Sequence, residues 1–324
     1  MHEMQFSVII CTYNRFHNLP VCLGKLAGQE NTGGLEWEVV VVDNNSTDRT
    51  PETVHELARQ LPIRIRYVRE PQQGLNYARN RGVMESRGEF FSFIDDDITT
   101  EANWLAAVYA CFRNHDADAV GGRIHLDPTL RLPKWIKPEM YGFLGYQDLG
   151  EAGFQMDGVS AYPFGGNMAF NRRVVDRIGL FNPKLGRRGS GQKRSELFKG
   201  AETDYFHRLA ASGGARIFYE PKAVVYHQVL PFQLTKRYFR TIHYNAGYQK
   251  ALNDTRPYRR QFFGIPLFLF PQFGRSVSKY LRQFIRRGPD FAFHQQMIVG
   301  HFVGMMTGYA RRNTSTRSEH HKVK

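Results

Sequence analysis

Three carboxylates directly follow an apolar segment in the stretch FSFIDDDITT, residues 91–100. The aromatic and aliphatic residues before them are typical of the end of a buried strand. Like charges placed side by side repel each other, and burying an unpaired carboxylate costs on the order of several kcal/mol. A divalent cation removes this conflict, because Mg²⁺ and Mn²⁺ prefer oxygen ligands and often bind through one or two carboxylates plus substrate phosphates. Taken alone, the stretch is also compatible with a solvated acidic turn that caps the next helix.

Two other segments carry side chains that could remove a proton from a substrate or bind a metal ion. The segment GAETDYFHRL, residues 200–209, begins a predicted helix with Glu202 and Asp204. A carboxylate that removes a proton from a hydroxyl group contributes roughly 10²–10⁴ in rate. The structural alternative for Glu202 is an acid favoured by the dipole at a helix start. His227 ends the apolar run AVVYH, where imidazole suits Mn²⁺ better than Mg²⁺, or where the ring is simply a buried structural histidine.

Apolar runs alternate with helical patterns over the first hundred residues. They predict strands at 6–11, 39–42, 63–68 and 90–94, and helices at 17–28, 49–60 and 74–86. This alternation predicts βαβ units and a mostly parallel sheet, in which ligands bind beyond the carboxyl ends of the strands. Four polar clusters fall at those ends and are expected to line one cleft: Thr12-Tyr13-Asn14, Asp43-Asn44-Asn45, Glu70 with the following PQQG, and Asp95–Asp97.

The middle of the chain is less regular. A strand is expected near 118–124 and an irregular stretch at 128–160, before the glycine-bearing turn of PFGGNMAFNRRVV. In that turn Gly165, Gly166 and Asn167 would let the backbone approach an acceptor molecule, or would form a tight turn only. Residues 186–200 hold four glycines among basic and hydroxyl side chains, which predicts a mobile loop that would close over substrate.

The net charge lies entirely at one end of the chain. The 324 residues carry a formal charge of +14, and residues 231–324, with 17 Lys or Arg against three Asp or Glu, account for all of it. This shift predicts a catalytic domain at 1–230, a basic helical region at 231–312 and a disordered tail at 313–324. Apolar residues at 273–285 recur at helical spacing with basic residues around the other side, which indicates a surface that binds anionic lipid. The alternative is that this face packs on the first domain.

Several classes of protein do not fit the sequence. CTYNRFHNLP follows the first strand, so neither a G-x-G-x-x-G dinucleotide site nor a P-loop is expected. The three cysteines fit neither a metal spacing nor a paired disulfide framework, which indicates a reducing compartment. The sequence shows no cleaved signal pattern and no apolar run of roughly 18 residues, so we expect a cytoplasmic protein, peripheral on the inner face of the cell membrane. No nucleic-acid module accompanies the basic region, and nucleic acid is not an expected partner.

The segments VIICTYNR, VVVVDNNSTDRT, GLNYARNRG and FIDDDI, in this order and spacing, resemble the nucleotide-binding half of family 2 glycosyltransferases of the bacterial surface-polysaccharide type. The resemblance covers residues 5–230. It implies the GT-A fold, a Rossmann-like α/β domain with a mostly parallel central sheet flanked by helices, here followed by the basic extension. It also implies Mg²⁺ or Mn²⁺ on the diphosphate of a nucleotide sugar. The implied roles are nucleotide-sugar binding for Thr12, Tyr13, Asn14, Asp43, Arg79, Asp95 and Asp96, metal binding for Asp97 and His227, acceptor contact for Gly166 and Asn167, and general base for Glu202 or Asp204.

The predicted function is inverting sugar transfer to the hydroxyl group of an acceptor, a lipid-linked saccharide of surface polysaccharide synthesis. A carboxylate at Asp43 can accept the imide N–H of uracil or thymine, so a UDP- or dTDP-linked donor is expected. Ala201 stands where the family has an acidic residue, which leaves the choice between Glu202 and Asp204 open. The alternatives are a metal-dependent nucleotidyltransferase, a hydrolase with two carboxylates, and a non-catalytic membrane-bound module.

Overall fold

The computed structural model describes residues 4–189, 193–198 and 200–320, with side chains to residue 312. The chain forms two compact units. The first comprises Met1–Arg131, Tyr141–Ser190 and Gly200–Val229, and the second comprises Leu132–Met140, Gly191–Lys199 and Leu230–Lys324. Two short inner segments of the chain therefore belong to the second unit, which the change in composition near residue 230 did not indicate.

Strands and helices alternate at the start of the first unit, as the sequence predicts. The elements are β1 (Phe6–Thr12), α1 (Leu19–Ala27), β2 (Trp37–Asp43), α2 (Thr50–Gln60), β3 (Ile65–Arg69), α3 (Leu75–Glu85) and β4 (Phe90–Asp95). A proline in the first turn of α1 and of α2 has the φ angle that a helix needs and removes an N–H that would lack a partner there. The later elements are β5 (Ile98–Thr100), α4 (Trp104–His115), β6 (Ala119–Leu126), β7 (Phe154–Met156), β8 (Met168–Asn171), α5 (Arg173–Ile178), α6 (Ala201–Ala211) and β9 (Ile217–His227).

The sheet of the first unit has the strand order β3-β2-β1-β4-β8-β6-β9-β5, with β7 beside β9. Strands β3, β2, β1 and β4 pair in parallel, and β8 runs antiparallel between β4 and β6. The register sets Thr12 opposite Asp43 and Cys11 opposite Asp95. The carboxyl ends of three strands therefore meet at one edge of the sheet.

Strand β9 brings a distant part of the chain to the same edge. It pairs in parallel with β6, with a shift of register between Gly122 and Arg123. Beyond this irregularity its last residues pair antiparallel with β5, where His227 lies opposite Ile98. Since β5 follows the acidic turn after β4, the end of β9 lies beside that turn.

The position of β2 in the sheet explains why its sequence is an unbroken apolar run. Val39 and Val41 pack into the core on one face of the sheet, while Val40 and Val42 pack into the core on the other. All four are fully buried, as expected for a sheet covered on both faces. Trp104 at the start of α4 is also fully buried and belongs to the first of these cores.

The second unit is mainly helical. It contains α7 (Lys236–Leu252), the two-residue strands β10 (Gln261–Phe262) and β11 (Ile265–Pro266), and α8 (Leu269–His320), with 3₁₀ turns at Arg194–Glu196 and Pro231–Leu234. Helix α8 is interrupted at Gly288, whose φ of 82° is not helical and precedes a proline. A further 3₁₀ turn, Pro138–Leu144, spans the end of one inner segment of this unit. In the part of the chain with described coordinates, no helix combines the length and apolar character needed to cross a membrane.

Helix α7 and the second half of α8 lie side by side at very short distance. A β-carbon added at Gly304 would stand 2.1 Å from the backbone oxygen of Tyr244, and one added at Gly247 would stand 2.0 Å from that of His301. The inner segment 132–140 joins this packing through Trp135, whose ring contacts those of Phe239 and Phe293 edge to face, at centroid distances of 5.3 and 4.9 Å.

Two sequence-based predictions fall partly on residues whose structure is not described. Within the predicted mobile loop 186–200, residues 190–192 and 199 lie outside the described residues. In the predicted disordered tail 313–324, the helical backbone of α8 continues to His320, and residues 321–324 lie outside the description. Both the mobility and the disorder stay predictions.

Candidate functional site

A cation from the loop after β1 pairs with two carboxylates of the acidic turn after β4. Arg15 donates from Nη1 to Asp96 Oδ1 at 3.0 Å and to Asp97 Oδ2 at 2.9 Å. Thr12, at the end of β1, donates its hydroxyl to Asp96 Oδ2 at 2.7 Å. Asp96 and Asp97 are buried, at 3% and 6% exposure. The conflict between adjacent carboxylates is therefore relieved within the protein, partly by a residue that was not predicted.

One oxygen of Asp97 remains without a hydrogen bond. This oxygen, Oδ1, is buried and lies 3.4 Å from His227 Nε2, which is an ion-pair distance when the ring is protonated. The other ring nitrogen, Nδ1, faces the backbone oxygen of Leu144 at 2.7 Å, and since a carbonyl only accepts, Nδ1 carries the proton. When Nε2 is unprotonated, it and Oδ1 of Asp97 face each other, and both are atoms that suit Mn²⁺ as ligands. Without an ion, burial would lower the pKa of His227, but Asp97 outweighs burial and raises that pKa.

These two residues would have to bind a metal together with ligands from elsewhere. Among the residues with described structure, no group of three or more His, Cys, Asp or Glu side chains is arranged to hold an ion. Mg²⁺ is usually bound through only one or two protein carboxylates when substrate phosphates complete its coordination. The donor set therefore fits an ion that arrives with its substrate.

The charges of the turn shift the pKa values of its carboxyl groups in opposite directions. Burial raises the pKa of Asp96 to about 6, against the effect of Arg15. Burial and the nearby Asp97 also raise the pKa of Asp95. Burial alone would raise the pKa of Asp97 too, but His227 and Arg15 outweigh it and hold that pKa below its ordinary value. Asp97 is therefore the carboxylate of the turn that keeps its negative charge most strongly.

A second ion pair contains the predicted general base. Arg79 on α3 donates from Nη2 to Glu202 Oε1 at 2.8 Å, and Arg79 is 2% exposed while the Glu202 side chain is 25% exposed. Burial would raise the pKa of Glu202, but Arg79 outweighs it and lowers that pKa. The contact needs the backbone of Gly165, because a β-carbon there would stand 2.4 Å from Glu202 Oε1 and 2.5 Å from Arg79 Nη2. The structure thus brings Arg79 to Glu202, and the role of Arg79 in nucleotide-sugar binding stays a prediction.

The alternative base has a different setting. Asp204, two residues beyond Glu202, accepts from Arg208 Nε at 3.0 Å in an i,i+4 pair along α6. Its side chain is 30% exposed and the partner Arg208 also binds the backbone oxygen of Leu180. These contacts give Asp204 a structural role at the end of α5 and along α6.

Asp43 at the end of β2 is held rigidly. It accepts from the backbone N–H of Ser46 at 2.8 Å and from the hydroxyl of Tyr67 at 2.8 Å, and it is fully buried. The neighbouring loop turns at Asn14, whose φ is 52°, and the side chain of Asn14 accepts from the backbone N–H of Thr47 at 2.8 Å. Tyr13, before Asn14, is partly exposed. The two loops that were predicted to bind the base are therefore joined to each other.

The glycine-bearing turn, residues 165–167, contains one residue beside the acidic turn and one residue that hydrogen-bonds within the core. Asn167 is 2% exposed, accepts from the Trp104 indole at 2.9 Å, and donates to the backbone oxygens of Arg123 and Ala223 at 3.1 and 2.8 Å. Gly166 lies next to the acidic turn, since a β-carbon there would be 3.6 Å from Asp95 Oδ2. Gly166 is thus at the site, while every contact found for Asn167 is structural. The acceptor role of both stays a prediction.

Two arginines at the site were not predicted from the sequence. Arg15 bridges two carboxylates that lie more than 80 residues away. Arg187, in the described part of the 186–200 loop, acts to lower the pKa of Asp95, Asp97 and Glu202. The backbone of this loop is fixed by Leu75, whose N–H donates to the Arg187 oxygen at 2.9 Å. In the sequence, Arg15 follows Tyr13 and Asn14 and Arg187 lies in the basic loop 186–200, and neither position identifies the carboxylates that these side chains meet.

Comparison with known proteins defines the class. The sequence model described as glycosyl transferase family 2 matches residues 7–179, more than half of the chain. The chain belongs to this family and is a glycosyltransferase.

Two curated relatives extend over most of the chain. A glucosyl-dolichyl phosphate glucuronosyltransferase of Haloferax volcanii is 25% identical over 282 residues, covering 86% of this chain and 82% of its own. The succinoglycan biosynthesis protein ExoM of Rhizobium meliloti is 29% identical over 248 residues, covering 74% and 73%. Both names refer to the synthesis of glycans or polysaccharides.

Solved structures confirm the predicted fold. The mannosyltransferase PcManGT from Pyrobaculum calidifontis, in complex with GDP-Man and Mn²⁺, superimposes with a TM-score of 0.60 at 16% identity, covering 97% of this chain and 88% of that one. S. aureus TarS 1–349 in complex with UDP gives 0.52 at 19% identity, covering 98% and 92%. The first unit thus has the GT-A fold, a mixed α/β domain with a mostly parallel central sheet, and the helical C-terminal region follows it.

Proposed function

We propose that this glycosyltransferase moves a sugar, with inversion, from a UDP- or dTDP-linked donor to an acceptor hydroxyl group, with Mg²⁺ or Mn²⁺ on the donor diphosphate. The observation that carries the proposal is the buried Oδ1 of Asp97, which accepts no hydrogen bond and lies 3.4 Å from Nε2 of His227. A carboxylate oxygen left without a partner in a protein interior is costly unless a ligand completes it. The metal would offset the negative charge that develops on the departing diphosphate.

The chain's own residues would bind and orient the donor. Asp43, held by Ser46 and Tyr67, would accept the imide N–H of the base, with the ring of Tyr13 available for stacking. Asp95 would meet the ribose. Arg187 would supply positive charge to the diphosphate from the loop after α5, in the same way that it already acts on the carboxylates of the site.

Glu202 would activate the acceptor. Its carboxylate would take the proton of the acceptor hydroxyl as that oxygen forms a bond to the anomeric carbon, and the bond from that carbon to the diphosphate oxygen would break on the opposite side. Arg79 keeps Glu202 ionised and fixes its position. Inversion follows because attack and departure occur on opposite faces of the sugar.

The acceptor would be a lipid-linked saccharide, and the basic region at 231–312 would bind an anionic membrane on the cytoplasmic side. The names of the two relatives, one for a dolichyl phosphate substrate and one for succinoglycan, support this choice. The charge of +14 that is concentrated after residue 230 supports it independently.

Calorimetric binding of UDP, dTDP and GDP tests the donor site, each measured with Mn²⁺ and again with EDTA. We expect one uridine or thymidine nucleotide to bind only with Mn²⁺, and Asp97→Asn to abolish this binding. The matched control is Asp176→Asn, which removes an exposed carboxylate from α5 and should leave the affinity unchanged. Binding of no nucleotide under either condition would contradict the proposed function.

A further inference from the structure

A tight hairpin in the second unit exposes an unusual concentration of apolar surface. Strands β10 and β11 pair antiparallel, with Phe262 opposite Ile265, so that Phe263 and Gly264 form a two-residue connection. Phe262 and Phe263 are 56% and 76% exposed, and Leu267 and Phe268 just after the hairpin are each 43% exposed. Four large apolar side chains thus face solvent within seven residues, which differs from the scattered exposed apolar residues of an ordinary surface.

The backbone conformation at the tip of the hairpin is unfavourable for an aromatic residue, so stability of the fold does not account for the exposed Phe263. Phe263 has a φ of 49° and Gly264 a φ of 81°. A two-residue hairpin with positive φ at both positions favours Asn-Gly or Asp-Gly, and a bulky aromatic residue is an outlier there. The Phe263 ring contacts that of Phe262, at a centroid distance of 4.6 Å, rather than a core. An outlier that costs stability and gains no burial indicates a function for the side chain.

Basic side chains precede the apolar tip directly. Arg259 and Arg260 are both exposed, and within the described residues neither has an acidic partner among the ion pairs found. Two cations next to an exposed apolar wedge are complementary to one kind of surface in particular, that of an anionic bilayer. Phosphates of the headgroups would meet the arginines, and the acyl region would take the phenylalanine rings.

We infer that the hairpin of residues 259–268 is an insertion element that enters the interface of an anionic membrane and fixes the second unit there. The inference deepens the membrane association proposed above and rests on it. The earlier proposal assigns membrane binding to the basic region as a whole. The present inference assigns it to the tip of the hairpin and not to the amphipathic surface of α8, where Leu281, Phe284 and Ile285 are also exposed.

The experiment compares full-length variants in flotation with phosphatidylglycerol-containing vesicles and with pure phosphatidylcholine vesicles, without any sugar nucleotide. The test variant carries Phe262→Ser and Phe263→Asn, and Asn suits the positive φ at 263, so that this protein should fold with an unchanged or higher melting temperature. We expect it to lose at least roughly ten-fold in affinity for the anionic vesicles, from the loss of two buried rings. The matched control is Ile285→Ser, which removes an apolar residue exposed at 81% on α8 and should change the affinity less than about two-fold.

Two further measurements define the mode of binding. Arg259→Gln and Arg260→Gln should each weaken binding by roughly five-fold, as expected for one cation at an anionic surface. Phe263→Trp should show a blue shift of its emission, relative to the wild-type background, when anionic vesicles are added.

Each outcome decides between the inference and the broader proposal. If Ile285→Ser releases the protein and the hairpin variant stays bound, the inference is overturned and membrane association through α8 stands. If the wild-type protein binds no vesicle, the membrane part of the proposed function fails together with the inference, while sugar transfer is untouched. If the wild type sediments as a dimer and the hairpin variant as a monomer with equal vesicle binding, the tip is a contact between copies and the inference is wrong.

Discussion

Arg79 and Glu202 form a 2.8 Å ion pair between helix α3 and the first turn of α6, and the guanidinium is almost completely buried while the carboxylate reaches solvent. The pair joins two segments more than 120 residues apart. Its asymmetry matters for chemistry, because the buried partner fixes the position of the exposed one. A carboxylate held in this way is ionised and oriented before an acceptor arrives.

Replacing Glu202 by Gln should lower kcat by about 10²–10⁴ while leaving nucleotide affinity within about two-fold, because the amide cannot remove a proton but still offers Arg79 an oxygen that accepts a hydrogen bond. Asp204→Asn is the control on the same helix turn. It breaks the pair with Arg208 and should lower kcat less than about ten-fold. Steady-state turnover together with calorimetry measures both. Equal losses in the two variants would show that Glu202 is not the specific base.

The pH dependence of kcat should show the effect of Arg79 on the pKa of Glu202. Arg79 lowers the pKa of Glu202, so activity that needs the ionised carboxylate is retained to a lower pH than it would be without Arg79. In Arg79→Met, which keeps an apolar stem in place, the pKa of Glu202 rises and the acidic limb of the kcat profile should move to higher pH. Arg79→Lys keeps the charge and should shift it less. Acidic limbs that coincide in all three proteins would contradict this role.

Acid stability should depend on Glu38, away from the site. This fully buried carboxylate accepts from Arg66 Nε at 2.8 Å, from Ser7 and from the backbone N–H of Arg87. Burial would raise its pKa, but these partners outweigh burial and lower it below the ordinary value of 4.5.

A lowered pKa in the folded state contributes stability above the unfolded pKa, and that contribution is lost as the pH falls below about 4.5. Glu38→Gln should therefore lower the free energy of unfolding by about 1–3 kcal/mol at pH 7 and show a smaller further loss toward pH 3.5. Urea titrations at several pH values measure this. The exposed Glu89→Gln should follow the wild-type curve.

The packing of α7 on α8 offers a prediction with an internal control. Gly304→Ala places a methyl group 2.1 Å from the Tyr244 backbone oxygen and should destabilise the second unit by about 1–3 kcal/mol, because the helices must separate. Gly300→Ala, one turn earlier on α8, meets no atom within 4 Å and should be neutral or stabilising by about 0.5–1 kcal/mol. Thermal unfolding of the full chain compares them. Two variants of equal stability would mean that this close approach does not limit the packing.

The sequence predicted local structure well because the signals there are local. The run VVVV appears as β2, a fully buried strand, and Thr50-Pro51 begins α2 as expected. The partners of the site residues were predicted poorly, since Arg15 meets Asp96 and Asp97 only because β1 and β4 are neighbours in the sheet. The short antiparallel strand β8 inside the sheet and the pairing of Arg79 with Glu202 likewise depend on the tertiary arrangement, which no periodicity encodes.

The path of the chain between the two units restricts how this enzyme can be divided. Residues 132–140 lie within the sequence of the GT-A unit, yet Trp135 packs against Phe239 and Phe293 of the C-terminal helices. A cut near residue 230 would therefore leave Trp135 without its partners on one fragment and a hole in the aromatic packing on the other. Gene fusion or recombination at a single point near residue 230 would exchange the C-terminal part between homologous enzymes. The packing around Trp135 would be lost in the same way. Residues 132–140 and the C-terminal helices are therefore expected to change together, since they share one aromatic packing.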